Sequence, residues 1–398
     1  MNLNTGGWAS RVLTPLLRII RSSPNATVPV IAISEPVNSE TAALVNADIA
    51  LVAKGTGATL AQVPDGTAVG GNKRGDYATD WQKVRNAAAQ VSSGLRAVIA
   101  GGSQNTASGT GSFVGAGLGN SASSLYSFVG AGSTNNASGT YSVSVGGDGN
   151  TASSNFTFVG GGQSNFAQTN AHATVCGGNS NTASGGQSVV GGGQSNTASG
   201  NNAAILGGSG NTSTATYSTI VGGQGHNANG GYSFIAGGRY GTARGIAGNH
   251  VFPACSTPIS IVNGTTQSAL LLLARQTTTA TAAVLTSDGN AASTTNQVIL
   301  PNNAAYSFSG EVIAGVTAAG DTARWTIDGA IKRGANAAST AMVGTPTVTM
   351  THNDAGAAAW VVAVTADTTL GCITVTVTGA AATTIRWVCR INTVEMTY

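Results

Sequence analysis

Between residues 98 and 248 the apolar positions recur with a fixed long period. Copies of one pattern begin at Val98, Phe113, Phe128, Val143, Phe158, Thr174, Val189, Ala204, Thr219 and Phe234, fifteen residues apart except for one sixteen-residue step around His172. The second residue of each copy is apolar (Ile99, Val114, Val129, Val159, Val175, Val190, Ile205, Ile220, Ile235), with Ser144 as the exception. The tenth is Ala, as in Ala107, Ala152 and Ala198, except at Ser213. Two inward columns, one of Val and Ile and one of Ala, predict two short strands per copy, with the copies stacked as coils.

The remaining invariant positions read as turns. The fifth residue is Gly in every copy, from Gly102 to Gly238, as expected where the backbone needs a positive φ or passes close to another chain segment. The eighth is Asn in the first eight copies, Asn105 to Asn211, and becomes His226 and Gly241 in the last two. Asn tolerates the left-handed conformation better than most residues, so this column is also expected at a turn. Stacked coils gain about 4.8 Å each, which gives the ten coils a length on the order of 45 to 50 Å. The inward residues are small and one coil encloses little volume. Three chains around a common axis would cover the apolar side that one chain leaves open.

The flanks differ. Residues 1–45 are punctuated by Pro15, Pro24, Pro29 and Pro36 and fit an attachment segment. Their apolar run Val12–Ile20 is broken by Pro15 and Arg18, poor for a membrane span or a signal sequence, so synthesis in a cytoplasm is expected. Residues 46–97 read as a small β-rich connector, with strands at Ile49–Ala53, Thr59–Val63 and Thr67–Val69 between glycine-containing turns. After Gly248 the period ends and residues 249–398 alternate like ordinary strands: Ser307–Val316, Ala323–Ile327, Trp360–Thr365, Ile373–Thr378 and Ile385–Val394. Asp328–Gly329 predicts a hairpin turn. A compact β-sandwich or jelly roll at the tip follows.

Composition sharpens this all-β picture. Charged residues make up 8% of the 398 and aromatic residues 5%, both low for a mixed globular core, while the 57 Gly residues fit punctuation of a repeat. The formal charge of +3 is spread without a basic run, which argues against nucleic acid as a partner. Cys176, Cys255, Cys372 and Cys389 lack the paired spacing of a zinc site; Cys372 and Cys389 fall where two strands can meet, and buried free thiols are the favoured reading.

Candidate chemistry is sparse. Hydrolysis of a glycan needs two carboxylates about 5 to 10 Å apart, and Val98–Ile235 contains one acid, Asp148. The other candidates are Glu311, Asp321, Asp328, Asp354, Asp367 and Glu395; Asp321, Asp328, Asp354 and Asp367 sit in turn-like contexts. Gly-x-Gly stretches such as Gly115–Gly117 lie in a repeat without helical pattern, so no dinucleotide cofactor is expected. His172, His226, His250 and His352 are isolated, which predicts no metal site and puts His226 on a surface turn. Arg74-Gly75-Asp76 spells an integrin-binding tripeptide but reads as a tight turn. Trp325 and Trp387 alternate in phase with apolar neighbours and are expected in the core, whereas Arg324 and Trp360 are the candidates for an exposed receptor contact.

The pattern Ser-Phe-Val-Gly-Ala-Gly-x-x-Asn-x-Ala-Ser-Gly, as at Ser127–Gly139, resembles the head repeat of the trimeric autotransporter adhesins, a YadA-type left-handed parallel β-roll. The stretch Gly70-Gly71-Asn72-Lys73-Arg74-Gly75-Asp76-Tyr77-Ala78-Thr79-Asp80-Trp81-Gln82 is similar to a motif of phage tail-fibre proteins just before such rolls, and the C-terminal texture resembles their terminal knobs. These resemblances imply an obligate homotrimer with an adhesive role and a virion location, and the sparse candidate chemistry points to a non-enzymatic fibre. Its N-terminal segment would dock onto a tail or baseplate protein, and its tip would bind a host-surface glycan or outer-membrane protein. Two alternatives stay open: a bacterial surface adhesin, and a tip that depolymerises glycans.

Overall fold

The computed structural model describes residues 57–255, 261–318 and 320–398, plus the backbone of two short antiparallel strands, Arg18–Arg21 and Pro29–Ala32. The rest of the expected attachment segment 1–45, and the strand expected at Ile49–Ala53, fall outside those residues. The described residues are strands, turns and two short 3-10 turns. The chain forms two compact units, 1–123 and 124–398.

In the first unit the coil stack begins earlier than the fifteen-residue pattern does. Thr59–Leu60 pairs in parallel with Thr79–Asp80, which pairs in parallel with Val98–Ile99, and that strand with Phe113–Val114. The region expected to be a separate connector, 46–97, therefore supplies two longer coils of the same stack from Thr59 onward. Thr67–Val69, expected as a strand, is a turn. The Asp65 carboxylate accepts hydrogen bonds from the Thr67 and Gly70 amides, which curls the chain after Pro64 instead of extending it.

The second unit contains the coils from Phe128 to Ile235 and the C-terminal sheets. Its strands pair in parallel at a fifteen-residue offset, Val143 beside Phe128 and Val189 beside Thr174, and both predicted inward columns are fully buried. Each buried Val or Ile contributes about 1.5–3 kcal/mol. Ser144 holds its place in the apolar column with a buried hydroxyl that has no partner. At the sixteen-residue step Thr169 and His172 both take positive φ, and this irregular turn absorbs the extra residue.

The turn chemistry is displaced from expectation by one residue. Positive φ falls on the seventh position, as at Gln104, Thr134, Ser164, Ser180 and Ser195, and the Asn of the eighth position is not among the left-handed residues. The Gly of the fifth position is required twice over: Gly147 has φ +88°, and a Cβ there would lie 2.0 Å from the Gly162 carbonyl oxygen of the next coil.

Beyond residue 248 the roll passes into the tip without a break in its sheet. Strand His250–Pro253 pairs in parallel with Phe234–Ile235 on one side and antiparallel with Thr266–Thr277 on the other. The sheet continues through Ile385–Thr397, Ala304–Val316, Thr322–Arg333 and Thr347–Asn353, all antiparallel. A second sheet, built on Cys372–Thr378 with Val361–Asp367, Ala283–Val284 and Val298–Ile299, packs against it. Trp325, Trp387, Phe308, Ile373, Val375 and Val377 fill the shared core, so the expected sandwich is present.

Two expectations fail here. Asp328–Gly329 makes no hairpin: both lie inside the strand Thr322–Arg333, opposite Ser309 and Phe308. Gly329 serves packing, since a Cβ there would lie 2.7 Å from the Phe308 ring. Trp360, expected as an exposed contact, is 3% exposed and packs on Trp387 with ring centroids 5.7 Å apart. Cys372 and Cys389 occupy facing sheets as buried free thiols, each pushed up to about 12 by burial, while Cys176 and Cys255 are exposed.

Candidate functional site

The Asn column is the roll's internal fastener. Asn196 Oδ1 accepts from the Asn211 amide one coil on at 3.0 Å, and its Nδ2 donates to the Gly192 and Gly208 carbonyls at 3.0 and 2.9 Å. Its own amide donates to Asn181 Oδ1. The same exchange repeats from Asn135 to Asn211, so each buried side chain closes its own turn and clamps the next coil. His226 continues this column and is buried, not on the surface turn expected for it. The Asn211 carboxamide accepts its amide, and its Nδ1 accepts from the Gly241 amide at 2.9 Å. Burial holds the imidazole below its ordinary value.

In the first unit Gln82 plays the part of an Asn for its coil. Its Oε1 accepts from the Asn105 amide and its Nε2 donates to the Asn105 carbonyl, both at 2.8 Å. Asp80 stands in the inward column where later coils carry Val or Ile. It is fully buried between Arg74 Nε at 2.8 Å and Arg85 Nη2 at 3.0 Å. Arg74 also donates to the Gly70 carbonyl. The Arg74-Gly75-Asp76 tripeptide thus has its guanidinium buried in an ion pair, and the motif at 70–82 holds the first coils together.

The tip carries the remaining candidates. Arg324 projects from the outer face of the large sheet with its side chain 36% exposed and pairs with Glu311, which Arg390 approaches at 3.4 Å. The hydrogen bond from Arg324 holds the Glu311 carboxyl below the usual carboxylate range. Cross-strand pairing sets Ile313 between Arg324 and Val388 on that face. Trp360 lies in the core between the sheets, so the structure does not bring the two sequence candidates together. The acids of the tip are largely engaged: Asp354 accepts from the Thr322 amide, and Asp367 from the Thr369 and Leu370 amides. Glu395 is buried against Arg244 and Gln267, tying the last coil to the tip. No group of three or more metal-ligating side chains occurs among the described residues.

The outside of the roll carries a feature that the periodic pattern did not bring out. The position two residues before the next copy takes positive φ and carries Tyr126, Tyr141, Phe156 and His172, whose rings stack at 5.3, 5.2 and 5.0 Å along the surface. The recurrence of these rings once per copy, at fifteen and then sixteen residues, was the available signal. No protein-family model and no curated protein matches the chain.

Proposed function

We propose that this chain is the subunit of a homotrimeric fibre, a phage tail fibre, in which the coil stack is a stiff shaft and the C-terminal sandwich makes the contact with a host-cell surface. The observation that carries this reading is the unbroken passage of the roll's sheet into the tip, from Phe234–Ile235 through His250–Pro253 to Thr266–Thr277. A binding head continuous with a hydrogen-bonded stack is held in fixed orientation. Three such heads on one body raise the effective concentration of each after the first has bound.

Support for the trimer comes from the roll. A fifteen-residue coil buries one Val or Ile and one Ala, and side chains such as Phe158, Leu206 and Val221 stand outside it. The N-terminal segment would dock onto a tail or baseplate protein, and the tip onto a surface glycan or outer-membrane protein.

Light scattering of the purified chain together with adsorption to host cells tests the reading. A trimer that binds cells and competes with the intact phage supports it. A monomer, or a trimer without affinity for any host surface, refutes it. Incubation with host polysaccharide gives a separate answer, because released oligosaccharides would make the tip a depolymerase.

A further inference from the structure

The outer face of the roll and the outer face of the tip's large sheet are one surface. Partners that lie opposite each other in a sheet point their side chains to the same side. Phe234, whose neighbour Ile235 points inward, lies opposite His250, His250 opposite Leu270, Leu270 opposite Asn392, and Asn392 opposite Ser309. The Phe234 and His250 rings meet on that face at 5.6 Å. In the parallel rows Phe252 lies opposite Ser268 and Ser268 opposite Val394, while Ile313 lies opposite Val388.

That surface carries exposed apolar side chains among polar ones, with Arg324, Glu311 and Arg390 on the same face. Phe158, Leu206, Phe252, Leu272, Ile313 and Val394 are exposed by about half of their area. At roughly 150–200 Å² per large apolar side chain, those six alone present on the order of 500 Å². A standard interface takes about 800 Å² from each partner, a little over half of it apolar, so the face has the area that a stable contact requires.

We infer that the occupant is a second copy of this chain, and that the self-association surface proposed for the shaft runs on across the outer face of the tip's large sheet. The inference rests on the homotrimer reading above and adds to it the packing of the tips. A partner copy presents the same apolar residues at the same height, so symmetric contact brings like apolar residues together, while Glu311 pairs with Arg324 and Arg390 inside each copy. Contact with a receptor would then fall to the second sheet and the loops, and Arg324 becomes a residue between subunits.

Thiol labelling of the intact assembly tests this. In a background lacking the two exposed cysteines (Cys176→Ser, Cys255→Ser), single cysteines replace Val145 on the roll, Ile313 and Val388 on the tip's outer face, and Val361 on the opposite sheet. These four sites are 44%, 46%, 43% and 51% exposed in the single chain, so without assembly they label alike. The inference expects Ile313→Cys and Val388→Cys to react with maleimide at least tenfold more slowly than Val361→Cys, in a protein that light scattering shows to be a trimer. Protection at Val145→Cys with fast labelling at Ile313→Cys and Val388→Cys would leave the trimeric shaft standing and overturn the inference, freeing the face for a receptor. Monomeric mass with equal labelling everywhere would overturn both.

Discussion

Truncating one residue of the Asn column measures how much the coil stack depends on it. Asn196→Ala leaves the buried Asn211 amide without its acceptor and removes the donor to the Gly192 and Gly208 carbonyls. A buried donor stranded in this way costs about 1–3 kcal/mol, and each of two partly buried carbonyls adds about 0.5 kcal/mol. The expected loss is about 2–4 kcal/mol, localised to the coils on either side because contacts in a coil stack run between neighbours. Hydrogen exchange followed by mass spectrometry reads this directly: amides near Asn211 should exchange roughly 30- to 700-fold faster. Gln194→Ala, at an exposed position two residues earlier in the same coil, is the control and is expected within about 0.5 kcal/mol of the parent. If the two variants exchange alike, the Asn column is not what fastens the coils, and their backbone pairing and apolar columns hold the roll without it.

Three further outcomes follow from the buried polar groups and the core. His226 is held below its ordinary value, so the unfolded chain takes up its proton first as pH falls; the last two coils, which His226 joins, are fully stable above about 6.5 and weaken progressively below it. Melting curves at pH 7 and pH 5 should show this acid loss, and His226→Asn, which restores the residue of the other coils, should reduce it. Asp80→Ala leaves two arginines buried without their carboxylate and is expected to cost about 3–5 kcal/mol, read as a lower denaturant midpoint for the first unit. Trp360→Ala is expected to cost about 3–5 kcal/mol as a core cavity, visible in the thermal unfolding of the tip.

The sequence by itself determined what is local and repeated. The fifteen-residue period placed the strands, both inward columns and the obligatory Gly, because each coil meets the same geometry and the same selection acts at every copy. It also put Trp325 and Trp387 in the core through simple alternation, and both are buried. The tertiary structure decided whatever depends on partners far apart in the chain or on irregular coils. Nothing near Asp80 announces that Arg74 and Arg85 will close over it, so two coils of uneven length read as a separate connector. The Asn column resembled turn residues because Asn suits both turns and buried amide ladders, and only the position of the next coil distinguishes them. Asp328–Gly329 carries a hairpin signature that long pairing with Ala304–Val316 overrides. Arg244 and Glu395, 151 residues apart, meet only because the last coil and the last strand share one sheet. Local patterning sets the rungs, and long-range pairing decides which polar groups become buried partners and which faces stay open.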